Sequence, residues 1–399
     1  MFSPLSGVRV LDLSHLLAGP YCSYLMAMMG AEVIKVENPE GEWTRGHGSD
    51  FARNAAGMGM SYLAQNAGKR SITINLKHAR GVELVKKLAG ASDVFLENMR
   101  PGVMERLGLG HEALLRVNPR IVYCSLSGFG QHGPFSHRPA YDHVIQAMCG
   151  FMSVNGYPDG DPVKVGAPFI DYASGVNAAL AVVSALHQVR RTGQGCRLDV
   201  AMLDSVLNLL TSHIVEYVNA GTVPRRIGND APSGVATAGA FPTADGPLLI
   251  GANAAAHFAP LARAIGAPEL LQDPRFANPA LRQENRDLLR QAMSDALARR
   301  PAAEWETLLD AAGVPAARPR TIPEIVNDPH VLGRGVVQKV AMAPGQPALG
   351  LTSLGWQVDG AAIGPHGAPP TLGADTDAVL RECGLGDAEI ASLRADGAL

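Results

Sequence analysis

Alternation constrains this chain most. Within its first third, short aliphatic runs alternate with helix-like stretches, the order that builds a parallel sheet covered by helices. Residues 8–13 read as a buried strand, followed by a loop and an apolar helix over 21–29. Residues 32–37 and 71–76 read as the second and third strands, 81–88 as a helix, and 93–97 and 121–126 as two more strands. The expected fold class is α/β, with a Rossmann-like doubly wound core. Its first strand-to-helix turn, His15-Leu16-Leu17-Ala18-Gly19-Pro20, lacks the GxGxxG glycines that let a dinucleotide pyrophosphate approach the backbone. A nicotinamide dehydrogenase is therefore disfavoured.

The texture changes from about Val218. Two short apolar runs, 239–243 and 247–251, flank Asp245-Gly246, a hairpin signal, and 281–299 and 302–309 read as helices of a small α+β domain. A Pro-rich piece over 314–323 leads out of it, and 374–383 and 387–393 read as closing helices. A chain of 399 residues exceeds one typical core. The expected division is a large domain over 1–217, a small domain with linkers over 218–329, and a return to the large domain over 330–399.

Composition excludes several classes. The formal net charge is -3 and basic residues cluster only in pairs such as Arg190-Arg191 and Arg225-Arg226, so no nucleic-acid partner is expected. Five cysteines without a CxxC pair argue against a disulfide framework or zinc site and fit a reduced, cytoplasmic setting. The first residues lack the pattern of a signal peptide, and no run is read as long enough to span a bilayer; no metal and no membrane partner is expected.

One acidic side chain stands out. In Gly166-Ala167-Pro168-Phe169-Ile170-Asp171 it follows an apolar turn and precedes a stretch with Val176, Leu180, Val183, Leu186 and Val189 at helical spacing. Asp171 at the start of that helix fits an N-cap, which stabilises by about 1 kcal/mol. It equally fits a carboxylate nucleophile shielded from water. The local sequence leaves both open.

Several motifs taken in order resemble the family III CoA-transferases, the group that includes formyl-CoA transferase, carnitine CoA-transferase and the α-methylacyl-CoA racemases. They are Gly7-Val8-Arg9-Val10-Leu11-Asp12-Leu13, Ala18-Gly19-Pro20, Gly30-Ala31-Glu32-Val33-Ile34-Lys35-Val36-Glu37, Asn66 to Leu76, and Glu97-Asn98-Met99-Arg100-Pro101-Gly102. Tyr141-Asp142, Asp171, Gly193-Gln194-Gly195, Arg226-Ile227-Gly228-Asn229 and Asp273-Pro274-Arg275-Phe276 continue the series, which spans nearly the whole chain. The resemblance implies that Asp171 is the nucleophile, that no prosthetic group is needed, and that coenzyme A thioesters are the substrates. It also implies an interlaced homodimer. The pantetheine arm would pass Leu16, Leu17 and Ala18; Lys77, Asn98, Met99 and Arg106 would line the nucleotide end; Met202 would lie near the thiol, and Tyr141 is a further CoA-binding candidate.

The subfamilies part at single positions. Racemases resembling this chain carry His where it has Tyr141, because proton exchange needs a base on each face of the substrate. Formyl-CoA transferases carry Gln where it has Leu17, which puts formate and oxalate in doubt. Arg45, His47 and Arg53, in the loop after the second strand, are candidate cations for a remote substrate carboxylate. The expected activity is transfer of CoA, from a donor such as succinyl-CoA, to a C4–C6 dicarboxylate such as itaconate, mesaconate, citramalate or a glutarate. An α-methylacyl-CoA racemase and a non-catalytic CoA-binding protein are the alternatives.

Overall fold

Six parallel strands, β1 (Arg9–Asp12), β2 (Glu32–Glu37), β3 (Arg70–Thr73), β4 (Val94–Glu97), β5 (Val122–Ser127) and β6 (Cys196–Ala201), form one sheet in the order β3-β2-β1-β4-β5-β6. This is a doubly wound sheet whose strand order reverses between β1 and β4. The computed structural model describes residues 2–399. β6 was not anticipated: Arg197 and Asp199 alternate with Leu198 and Val200, as suits a half-exposed edge strand, and break the apolar run that marks the others.

Register sorts the sheet's two faces. Leu11 lies opposite Ile34 and Phe95, and Phe95 opposite Tyr123. These side chains share one core with Leu84 and Leu88 of α2 (Ala79–Gly90) and with Val379, Leu380, Ile390 and Leu393 from the C-terminal helices. Helices α1 (Ala18–Met28) and α4 (Phe169–Thr192) pack against each other and against the sheet. Gly175 allows that approach, since a Cβ there would meet the Ala18 carbonyl oxygen at 2.7 Å. α1 starts three residues before the expected helix, taking in Gly19 and Pro20, because proline is tolerated in a first turn that has no N–H bond to lose. Contrary to the sequence reading, α4 is long and apolar enough to cross a membrane, the one such helix among the described residues, yet here it is a sheet-covering helix.

Two units divide the chain. One holds the residues up to Cys149, Val165–Ala220 and Asp328–Leu399; the other holds Gly150–Lys164 and Gly221–Asn327. The detour at Gly150–Lys164 has no sequence signal. In the second unit β7 (Ala238–Pro242) and β8 (Pro247–Gly251) pair antiparallel around the Asp245-Gly246 turn, and β9 (Ala316–Ala317) joins β8. Their core includes Phe241, Leu248, Leu289, Leu297, Trp305 and Leu309. The helix expected over 281–299 breaks at Asn285, whose side-chain amide donates to the Leu281 carbonyl and ends the first segment.

Candidate active site

At the reversal between β1 and β4, a cavity of about 540 Å³ opens beyond the carboxyl ends of the strands. Its wall takes Leu16, Leu17 and Ala18 from the β1–α1 turn, Asn98, Met99 and Arg100 after β4, Ser127 and Gly128 at the end of β5, and Met202 after β6. Tyr141 and Asp171 complete it. Eight of the residues singled out in the sequence, Asp171 among them, therefore border one space. A second hollow of about 290 Å³ shares His15, Trp43 and Met99 with it and extends past Glu37, Asn38, Ile74 and Leu76. Lys77 and Arg106 are exposed and line neither.

Asp171 is not the helix cap. α4 begins at Phe169, so Asp171 is the third residue of its first turn, and the N-cap position is Pro168. The capping role falls to Asp142, at the start of α3 (Asp142–Met148): its Oδ2 accepts from the backbone N–H of Ile170 at 2.8 Å and of Asp171 at 3.2 Å. Gln146, one turn later on α3, donates to Asp142 Oδ1 and accepts from the Val165 N–H at 2.8 Å. A buried carboxylate supplied from outside the helix thus satisfies two of its orphan donors. Burial, together with the neighbouring charge of Asp142, pushes the Asp171 carboxyl up to about 7. Near neutral pH it exchanges readily between acid and carboxylate, the state a reacting group needs.

The opposite wall is strained. Leu16 has φ 66°, a left-handed conformation that costs a side chain with a Cβ about 1–3 kcal/mol. Gly19, three residues on, admits the Ser14 side chain, whose Cβ would lie 2.3 Å from any Cβ placed there. Ser127, missed in the sequence, presents at the cavity wall a buried hydroxyl without a hydrogen-bond partner among the described residues.

The three cations proposed for a remote carboxylate do not reach this space. Arg45 is 4% exposed and its guanidinium is taken up by Glu37 at 2.6 Å, the Tyr62 hydroxyl at 2.6 Å and the Gly57 carbonyl. His47 stacks on Trp43, with its ring nitrogen 2.6 Å from the Trp43 carbonyl oxygen. Arg53 pairs with Asp50 in a short surface helix. A loop arginine looks the same in sequence whether or not a buried glutamate waits for it. The guanidinium groups in the cavity wall are those of Arg100 and Arg138, the latter over the Phe135 ring at 4.4 Å.

The profile of CoA-transferase family III matches residues 5–376. The chain belongs to CoA-transferase family III. It is 38% identical to acetyl-CoA:oxalate CoA-transferase of Acetobacter aceti over 350 residues, covering 86% of this chain and 88% of that one. To succinyl-CoA:glutarate CoA-transferase of Mus musculus the identity is 36%, covering 95% and 86%. To succinyl-CoA–D-citramalate CoA-transferase of Chloroflexus aurantiacus it is 39%, covering 91% and 92%. The crystal structure of a CAIB/BAIF family protein from Brucella suis superposes with a TM-score of 0.85 at 31% identity, covering 96% of this chain and all of that one. The enzyme is thus a CoA-transferase whose substrates are CoA thioesters and carboxylic acids.

Proposed function

We propose that this transferase moves CoA from succinyl-CoA or a similar donor to a C4–C6 dicarboxylate, with Asp171 as covalent nucleophile. The observation that carries the reading is the Asp171 carboxyl itself: half-buried, raised to about 7, and facing a cavity walled by Leu16, Leu17, Ala18, Asn98, Met99 and Met202. The Asp171 carboxylate attacks the thioester carbonyl and CoA thiolate leaves, giving an acyl-aspartyl anhydride. Thiolate then attacks the aspartyl carbon and the donor acid departs, leaving an aspartyl-CoA thioester. The acceptor carboxylate attacks that thioester, thiolate leaves again, and its return to the acceptor's acyl carbon frees Asp171 and the new acyl-CoA. Each bond broken stores its energy in the next, so the protein's task is to exclude water and stabilise the oxyanions.

The acceptor class is supported by the diacids in the names of the relatives, glutarate and citramalate as well as the shorter oxalate. Arg100 and Arg138 take the place first given to Arg45, His47 and Arg53 as cations for a remote carboxylate. The racemase alternative loses support at Tyr141, a phenol 59% exposed, and at Asp142, whose carboxylate is spent on the helix. Val176 and Leu180, one turn apart and 50% and 65% exposed on α4, and Leu209 and Tyr217 further along the chain are exposed apolar side chains that a homodimer would cover.

Hydroxylamine added during turnover tests the nucleophile, since it converts an anhydride or thioester on Asp171 into a hydroxamate visible by peptide mass spectrometry. Label on another residue sinks the assignment. Sedimentation reads the dimer, and a stable 41.9 kDa species at micromolar concentration removes it.

A further inference from the structure

Among the described residues, the turn that follows β1 makes no backbone–backbone hydrogen bond through Ser14, His15 or Leu16, yet every one of its six polar backbone groups has a side-chain partner. The Ser14 N–H donates to Asp12 Oδ1 at 2.9 Å, and the Ser14 carbonyl accepts from Lys35 Nζ at 2.8 Å. Asn98 takes both groups of His15, accepting from its N–H at 2.9 Å and donating to its carbonyl at 2.8 Å. The Leu16 N–H donates to Glu42 at 3.1 Å, and the Leu16 carbonyl accepts from Gln65 Nε2 at 2.7 Å. These partners come from four different segments, and Lys35, Gln65 and Asp12 are fully buried.

The clamps are themselves tied together. Lys35 lies 3.5 Å from Glu42, and Lys69 lies 3.3 Å from Asp12 while donating to the Pro20 carbonyl inside α1. A largely buried ion network is an expensive way to hold a turn that glycine would form unaided. What it gains is a fixed shape at Leu16, whose left-handed φ swings Leu16, Leu17 and Ala18 into the cavity wall. The Ala18 carbonyl abuts Gly175, one turn beyond Asp171 on α4.

We propose that Glu42, Gln65 and Lys35 are positioning residues for the transfer reaction: they hold the Leu16 peptide in its left-handed form and thereby set the distance between the wall that carries the thioester and the Asp171 carboxyl. This rests on the reading of Asp171 as nucleophile. A wall that drifts by a fraction of an ångström still binds CoA but presents its carbonyl poorly, so the loss falls on kcat rather than KM.

The test is a double-mutant cycle between Gln65 and Leu16, measured at saturating donor and acceptor. Gln65→Met keeps volume and removes the donor to Leu16; kcat is expected to fall about 10- to 100-fold with the acyl-CoA KM changed less than about 3-fold. Leu16→Gly sets its own baseline, because glycine adopts the left-handed form without help. In that background Gln65→Met is expected to cost less than about one third of its former fold-loss. Equal fold-losses in both backgrounds, or a loss confined to KM, overturn the proposal.

A second pair guards against a Gln65 variant that does not fold. Glu42→Gln still offers an oxygen to the Leu16 N–H, so it is expected to retain about 10-fold more kcat than Glu42→Met; equal kcat in the two overturns the proposal as well. The cycle is read from ratios and stands whichever residue carries the acyl group. Hydroxylamine labelling of Asp171 is scored separately, so either reading can fail alone.

Discussion

Two carboxyls, Asp12 wholly buried before α1 and Asp171 half-buried on the helix packed against it, are treated in opposite ways. Asp12 is wholly buried, and burial alone pushes it up, but Lys69, Lys35 and the hydroxyls of Ser14 and Ser23 hold it below the usual carboxylate range. Asp171 is less buried, has no cation beside it among the described residues, and faces the charge of Asp142, so it rises to about 7. The depth of burial does not set the state of a carboxyl; its partners do. Asp12 is held as a fixed charge for architecture, whereas Asp171 is left uncompensated, as the nucleophilic role proposed for it requires.

The sharpest way to break this comparison is to remove each carboxyl's function. Asp171→Ala is expected to lower kcat at least about 10⁴-fold with the protein still folded and binding CoA. Steady-state exchange between labelled succinate and succinyl-CoA reads it, and near-normal turnover would end the distinction. Lys69→Met strips Asp12 of a cation and is expected to cost about 3–5 kcal/mol in urea unfolding. The double variant with Asp12→Asn should recover most of that loss.

The two sites should also differ in sign on stability. Asp171 has a folded pKa of about 7 against an ordinary value of 3.8, so its ionisation opposes folding. That penalty is absent below the ordinary value, grows as pH rises through the window between the two, and is complete above about 7. Asp171→Asn is therefore expected to melt a few degrees above the wild type at pH 8, with the gain vanishing near pH 4; no gain at pH 8 contradicts the raised pKa. Asp142→Asn keeps an oxygen for the α4 amides but removes the facing charge. The acid limb of its kcat/KM profile is expected to move to lower pH, and an unmoved limb separates Asp142 from the tuning of Asp171.

The smallest effect concerns specificity. Arg138→Ala is expected to raise the KM for a dicarboxylate acceptor about 10-fold if it meets the remote carboxylate. A uniform rise for all acyl-CoA donors, with acceptor KM unchanged, would instead place it on the CoA phosphates.

Local pattern carried the sheet well: five strands stand within a few residues of where apolar runs predict them, since strands buried on both faces leave little else in sequence. β6 escaped because its edge position lets Arg197 and Asp199 in. At Asp171 a local rule left open a capping role that the fold gives to another residue. An N-cap is sought next to its helix, but the carboxylate that caps α4 belongs to Asp142, 29 residues earlier, and only the fold brings it there. Arg45 failed for the same reason, its partner Glu37 being visible in sequence but its burial not. Glu42 and Gln65 carry no local signal at all, because their partners are peptide groups rather than side chains.

The C-terminal return has a consequence for how the protein is made. Val379, Leu380, Ile390, Leu393 and Ala398 fill the same core as β1 and β4, and the Asn75 N–H next to β3 donates to the Ala398 carbonyl. A nascent chain therefore carries its first strands for some 300 further residues before their apolar face is covered; at about 5–20 residues per second that is tens of seconds of exposure on the ribosome. Yield in the cell should depend on what shelters that face during synthesis.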